Sequence, residues 1–213
     1  MPNKRAAALP AAQRGSEAGI HSLRSGGAWG RAPLLWINGA FGSGKTTTAL
    51  ELNRRLSKSF VYDPENAGSF IRSNTNGLFS DGDFQDIPLW REMNYKILRM
   101  IAENYDGIVI VPMTLVDPGY YSEIVERLVS DGVDVRHYIL YAQRDEIKRR
   151  LQKRSGLFSR DETFALNNID RCVDAFDNHI KDMKIHTDDM SVDEVVETIA
   201  ELSGLQLSSG RVD

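Results

Sequence analysis

Gly39-Ala-Phe-Gly-Ser-Gly-Lys45-Thr46 is the stretch that decides how this chain is read. Its spacing is G-x-x-x-x-G-K-[ST], a loop whose backbone N–H groups close around phosphate oxygens. The flanks match. Leu34-Leu-Trp-Ile-Asn38 predicts a short buried strand, and Thr46 to Leu56 predicts a helix with Ala49, Leu50, Leu52 and Leu56 on its apolar side. A plain glycine turn between a strand and a helix would need neither the lysine nor the hydroxyl. Strand, loop and helix together predict a nucleotide triphosphate site, with the positive end of the helix dipole aimed at the phosphates. Lys45 would reach the β- and γ-phosphates, and the Thr46 hydroxyl would ligate Mg²⁺. Gly39, Ala40, Phe41, Gly42, Ser43, Gly44 and Thr47 line the same loop.

Outward from the loop, strands and helices alternate. Ser59–Tyr62, Gly107–Val111, Val135–Tyr141 and Lys184–Thr187 predict further strands. Gly107-Ile-Val-Ile-Val111 is apolar throughout, as a parallel strand buried on both faces requires. Helices are expected over 87–104, 120–130, 145–154, 163–180 and 191–202. The last opens on Ser191 with Glu194 three residues on, a capping box. The alternation predicts an α/β fold with a core parallel sheet, helices on both faces and right-handed crossovers. Residues 34–205 form this domain in the sequence reading, with 66–95 as a substrate lobe and 154–163 as a lid. Residues 206–213 read as a frayed tail.

Residues 1–33 are rich in Ala, Gly, Arg and Ser, and they read as a disordered basic tail. Five basic residues against Glu17 make them +4. The whole chain is −4, so the rest carries −8. An acidic body excludes a general nucleic-acid binder, which needs a basic surface. No apolar run approaches the 18 residues of a membrane span. One cysteine, Cys172, rules out an internal disulfide and fits the cytoplasm. The four histidines show no metal-ligand spacing.

In such a sheet the ligand meets the C-terminal ends of the strands. The second strand delivers Asp63, with Glu65 two residues later. A carboxylate there can orient an acceptor hydroxyl, take its proton, or hold Mg²⁺ through water. The alternative is a turn residue ahead of Pro64. The third strand delivers Pro112-Met113-Thr114 and no acid, which leaves Thr46, Asp63 and water as the expected metal shell. Arg150 and Arg154 lie one helical turn apart before a glycine-containing segment, and Arg171 follows it; all three are candidate phosphate contacts. Arg72 and Trp90 are candidate substrate contacts in the lobe, although core packing suits Trp90 better.

Trp36-Ile-Asn-Gly-Ala-Phe-Gly-Ser-Gly-Lys-Thr46 resembles the P-loop of the tunicamycin-resistance protein family. So do Val61-Tyr-Asp-Pro-Glu65, Asp83-Phe-Gln with Pro88-Leu-Trp-Arg91, Val111-Pro-Met-Thr114, and Ile169-Asp-Arg-Cys-Val173. The resemblance runs from about residue 34 to residue 205. It implies a P-loop NTPase fold of the nucleoside-kinase type, with a substrate lobe and a lid. It implies ATP as the nucleotide, and a small-molecule partner such as tunicamycin, a uracil-containing nucleoside antibiotic. By position, Lys45 and Thr46 carry over as ATP and Mg²⁺ residues, Asp63 as a substrate-activating carboxylate, and Arg154 and Arg171 as lid arginines. A kinase is the leading expectation, and a protein that sequesters the drug without phosphoryl transfer is its rival. A regulatory NTPase acting on a protein partner would need an interaction segment, and the polar N-terminus is a poor one. Oligomeric state is left open.

Overall fold

The computed structural model describes residues 32–79, 81–154 and 165–208. The proposed lid at 154–163 lies outside them but for residue 154, and so do residues 1–31 of the proposed tail. The chain enters the domain at Ala32, two residues earlier than expected. Ala32 is buried, and its N–H donates to the Ala102 carbonyl.

Among the described residues five strands form one parallel sheet. They are β1 (Leu34–Gly39), β2 (Ser59–Val61), β3 (Ile108–Pro112), β4 (Val135–Tyr141) and β5 (Met183–His186), in spatial order β2-β3-β1-β4-β5. β1 is central. Leu34 pairs with Val109 on one side and Val135 on the other. Its alternating side chains explain its continuous apolar run. Leu34 and Trp36 face one core, and Leu35 and Ile37 the opposite one.

The first core is closed by α2 (Glu65–Asn74), α3 (Pro88–Asn104) and a helical run with three parts. These are α4 (Pro118–Tyr121), a π-helical turn at Ser122–Glu126, and α5 (Arg127–Ser130). The second is closed by α1 (Lys45–Arg55) and α8 (Val192–Ser203). The expected capping box is present: Ser191 Oγ accepts from the Glu194 N–H, and the Glu194 carboxylate accepts from the Ser191 N–H. A third cluster lies under the glycine loop, built from α6 (Arg144–Arg154) and α7 (Ile169–Asn178) against Ala40, Ile139 and Tyr141.

Residues 66–95, expected as a substrate lobe, hold most of α2, a 3₁₀ turn at Phe84–Asp86 and the start of α3. Two further differences from the sequence reading stand out. The helix expected over 163–180 is interrupted at Asn168. The tail is anchored as far as Ser208, whose N–H and hydroxyl both donate to the Arg55 carbonyl. No helix among the described residues is long and apolar enough to cross a membrane.

Candidate functional site

The site starts at the end of β1. Gly39 sits at φ 147°, and a Cβ there would come within 2.5 Å of Ser43 Oγ and 2.7 Å of the Leu140 carbonyl. Gly44, at φ 99°, is the left-handed residue from which α1 springs. Ser43 Oγ is buried with no hydrogen-bond partner among the described residues. The first turn of a helix also has N–H groups that its own backbone cannot satisfy. A ring of donors with little protein to bond suits phosphate, so the loop fits the group its sequence predicts.

Lys45 opens α1. Its ammonium donates to the carbonyls of Gly39 (3.1 Å) and Ala40 (2.9 Å) and lies 5.7 Å from the centre of the Phe41 ring. Thr46 and Thr47 are exposed beside it. The loop opens on a groove of about 1100 Å³. Gly42, Lys45, Thr46 and Thr47 line it, and so do Leu50 of α1 and Val192 of α8. Among the described residues no cluster of three His, Cys, Asp or Glu could hold a metal. The Thr46 hydroxyl, exposed at the groove, is a group that could hold Mg²⁺ together with phosphate oxygens.

Asp63 lies at the C-terminal end of β2. Its Oδ1 accepts from the Glu65 N–H at 2.9 Å, which turns the chain into α2. One carboxylate oxygen thus performs the turn role weighed against a catalytic one, and a carboxylate has a second oxygen to offer. Glu65 is exposed on the first turn of α2. Arg72 donates to the carbonyls of Phe79 (3.1 Å) and Gly82 (2.6 Å) and lies over the Phe84 ring. Much of its fork is therefore spent on shaping the loop after α2.

Two candidates are corrected. Trp90 is fully buried, tilted against Phe84, and its indole N–H donates to the Pro64 carbonyl. It has no face to offer a ligand; it props the segment that carries Asp63. Arg150 lines the groove, but its guanidinium is spent on protein acceptors. Nε meets Glu146 at 2.7 Å, Nη1 meets Thr187 Oγ1 at 3.2 Å and the Ser43 carbonyl at 3.5 Å, and Nη2 donates to the Thr187 carbonyl. It staples the glycine loop to the chain after β5. The Arg154 side chain, predicted to contact phosphate, lies outside the described residues. Arg171 is exposed on α7, close enough for its charge to act on both Asp83 and Cys172.

Several neighbours of the loop carry no short-range signal. Asn38 is fully buried; its Oδ1 accepts from the N–H groups of Gly39 (2.8 Å) and Leu115 (2.9 Å), and its Nδ2 donates to the Leu115 carbonyl. The Thr114 hydroxyl donates to the Gly39 carbonyl at 2.8 Å. Gln85 Nε2 donates to the Thr114 carbonyl at 3.0 Å. Asp83 caps the 3₁₀ turn through the Gln85 N–H, and burial raises its carboxyl above the usual range. Cys172 is buried under the loop, and burial pushes its thiol up to about 11 against the pull of Lys45 and Arg171. Thr114 was reachable from sequence as a residue just past a strand end; Asn38, Asp83, Gln85 and Cys172 stood in the motifs that carry the resemblance, with no role attached.

A strand, a glycine loop bearing a lysine, a helix, and a second strand ending in a carboxylate define a P-loop protein of the kinase type. The chain belongs to the AAA domain family, whose profile matches residues 34–179. It belongs as well to the family of the tunicamycin resistance protein of Deinococcus radiodurans, with which it shares 31% identity over 84% of this chain and 100% of that one, at a TM-score of 0.68. Two more distant structures share the fold. A sugar kinase from Janibacter sp. HTCC2649 is 16% identical over 82% of this chain and 95% of that one (TM-score 0.58). The Mycobacterium tuberculosis APS kinase CysC, in complex with AMPPNP and APS, is 18% identical over 82% and 98% (TM-score 0.52). No curated protein sequence matches the chain.

Proposed function

We propose that this protein is an ATP-dependent kinase that phosphorylates a hydroxyl of a nucleoside-like small molecule in the cytoplasm, with tunicamycin as the first candidate acceptor. The observation that supports the reading is the Lys45 loop after β1 together with Asp63 just past the end of β2, a parallel strand of the same sheet. The name of the Deinococcus radiodurans relative supports the choice of acceptor. Lys45 leaves the Gly39 and Ala40 carbonyls for the phosphates, and Arg171 adds positive charge from α7. Asp63 orients the acceptor hydroxyl and takes its proton as the oxygen bonds to the γ-phosphorus and the bond to the β-phosphate oxygen breaks, releasing ADP. Mg²⁺, held by Thr46 and the phosphates, would neutralise charge on the transferred group.

The second reading is ATP-dependent sequestration of the drug. It is favoured by the end of β3, where Thr114 stands in place of an acid and spends its hydroxyl on Gly39. Mass spectrometry of tunicamycin, then of a nucleoside panel, after incubation with ATP and Mg²⁺ separates the two. A gain of about 80 Da, the mass of one phosphoryl group, that is absent with Lys45→Ala supports the kinase. ATP-dependent drug binding without a mass change supports sequestration.

A further inference from the structure

The Gly39 carbonyl is a shared acceptor. One bond comes from the Lys45 ammonium at 3.1 Å and the other from the Thr114 hydroxyl at 2.8 Å. A carbonyl has two lone pairs, so the two donors fill it. Gly39 has no side chain, and its left-handed backbone lets the following peptide group rotate easily. The preceding N–H is held by Asn38 Oδ1. Gly39 is also paired with Leu140 of β4, and among the described residues Thr114 is the side chain besides Lys45 that bonds its carbonyl.

Thr114 is in turn tied to the 3₁₀ turn at Phe84–Asp86. Its own carbonyl accepts from Gln85 Nε2 at 3.0 Å. Gln85 is 8% exposed, its carbonyl accepts from Arg91 Nη1 at 2.6 Å, and its N–H is capped by Asp83. Arg72 grips the carbonyl of Gly82 immediately before that cap. A chain of buried polar contacts therefore runs from the turn at Phe84–Asp86 to the carbonyl on which the lysine rests. Buried networks of this kind gain from full satisfaction and suffer when one member is removed.

We infer that Thr114 and Gln85 are positioning residues for Lys45. Thr114 sets the Gly39 carbonyl so that the ammonium is released toward the phosphates, and Gln85 ties that setting to the turn at Phe84–Asp86. The inference rests on Lys45 as the phosphate ligand in the reading above. Without Thr114 the carbonyl is left to the lysine alone and holds the ammonium back. Grip on the γ-phosphate then weakens more than grip on the rest of the nucleotide.

The test compares the affinities of fluorescent ATP and ADP analogues, with Mg²⁺, for the full chain and for Thr114→Val, Thr114→Ser and Gln85→Leu. Thr114→Val keeps the shape and removes the donor. The expected result is an ATP affinity about ten-fold weaker, the scale of one buried hydrogen bond lost. ADP affinity falls less, by about two- to three-fold, because the ammonium reaches both the β- and γ-phosphates and ADP offers only the first. Thr114→Ser restores the ATP-to-ADP ratio, and Gln85→Leu shifts it in the direction of Thr114→Val. A ratio unchanged in Thr114→Val, or ATP and ADP weakening together in step with melting temperature, overturns the positioning role. A wild-type chain that binds neither nucleotide overturns the parent reading as well. No acceptor or turnover is needed, so a failed search for a substrate leaves the result intact.

Discussion

At the scale of single residues, Asp63 is the position where structure and chemistry can be separated. Its Oδ1 accepts from the Glu65 N–H in the turn that leads into α2. Asn offers the same oxygen in the same place, so Asp63→Asn keeps the turn and loses only the charge. We expect that variant to melt near the wild type and to lose turnover by about a hundred-fold or more, the scale of a general base. Asp63→Ala should lose the turn's hydrogen bond too, about 0.5 kcal/mol of stability in urea titration. Turnover within a few-fold of wild type in Asp63→Asn would remove the base from the mechanism. Cys172 gives a second test. Its thiol is buried and pushed up to about 11, so at pH 8 it stays protonated and shielded. Labelling by an excess of thiol reagent should proceed only as fast as the chain opens, with a rate independent of reagent concentration. Immediate labelling of the native protein would contradict the burial.

At the scale of elements, α8 is specified locally and α2 is not. Ser191 and Glu194 cap α8 reciprocally, and Gly204 ends it in the left-handed conformation. Ser191→Ala should cost about 1 kcal/mol in a urea melt, with little effect on nucleotide affinity. A loss below a few tenths would mean the cap is redundant. This helix was legible because its signals lie within a few residues of one another. The same holds for β1, the glycine loop and α1. Helix α2 was not legible: Asn66, Gly68, Ser69 and Ser73 are weak helix formers. It forms because Ala67, Gly68 and Ile71 pack against the core, and a Cβ on Gly68 would lie 2.7 Å from the Phe84 ring. The site divides the same way. Lys45 and Thr46 follow from a local motif, and Asp63 from a strand end. Asn38 and Thr114 meet partners 77 and 75 residues away, beyond any spacing rule. Arg150 was legible as a basic residue near the groove, but its employment by Thr187 depends on where β5 ends.

At the scale of the whole molecule, a half-buried polar cluster joins three segments. Asp182 Oδ2 accepts from the Tyr121 hydroxyl at 2.6 Å and lies 2.6 Å from His137 Nδ1. The His137 bond is the main cause, with Tyr121 assisting, that holds the Asp182 carboxyl below the usual range near 4, against the effect of burial. A folded pKa below the unfolded one gives stability that is present above about pH 4 and lost as pH falls through the folded value. Urea midpoints of wild type should therefore drop on acidification below about pH 4. Asp182→Asn should start lower at pH 7 and fall less steeply over the same range. Parallel acid limbs for the two proteins would show that Asp182 does not contribute.

The place of β1 in the sheet has a consequence for the order of events during synthesis. Its neighbours are β3, about seventy residues further along, and β4, about a hundred. Contacts this distant in sequence close late. A nascent chain that has emerged only as far as residue 134 carries the whole glycine loop, yet one edge of the strand behind it is bare, and Leu140, whose carbonyl abuts Gly39, has not arrived. The grip on nucleotide should thus be acquired on the ribosome no earlier than the docking of β4, and ATP would then act as a ligand that fastens the sheet while α6, α7, β5 and α8 are still to come.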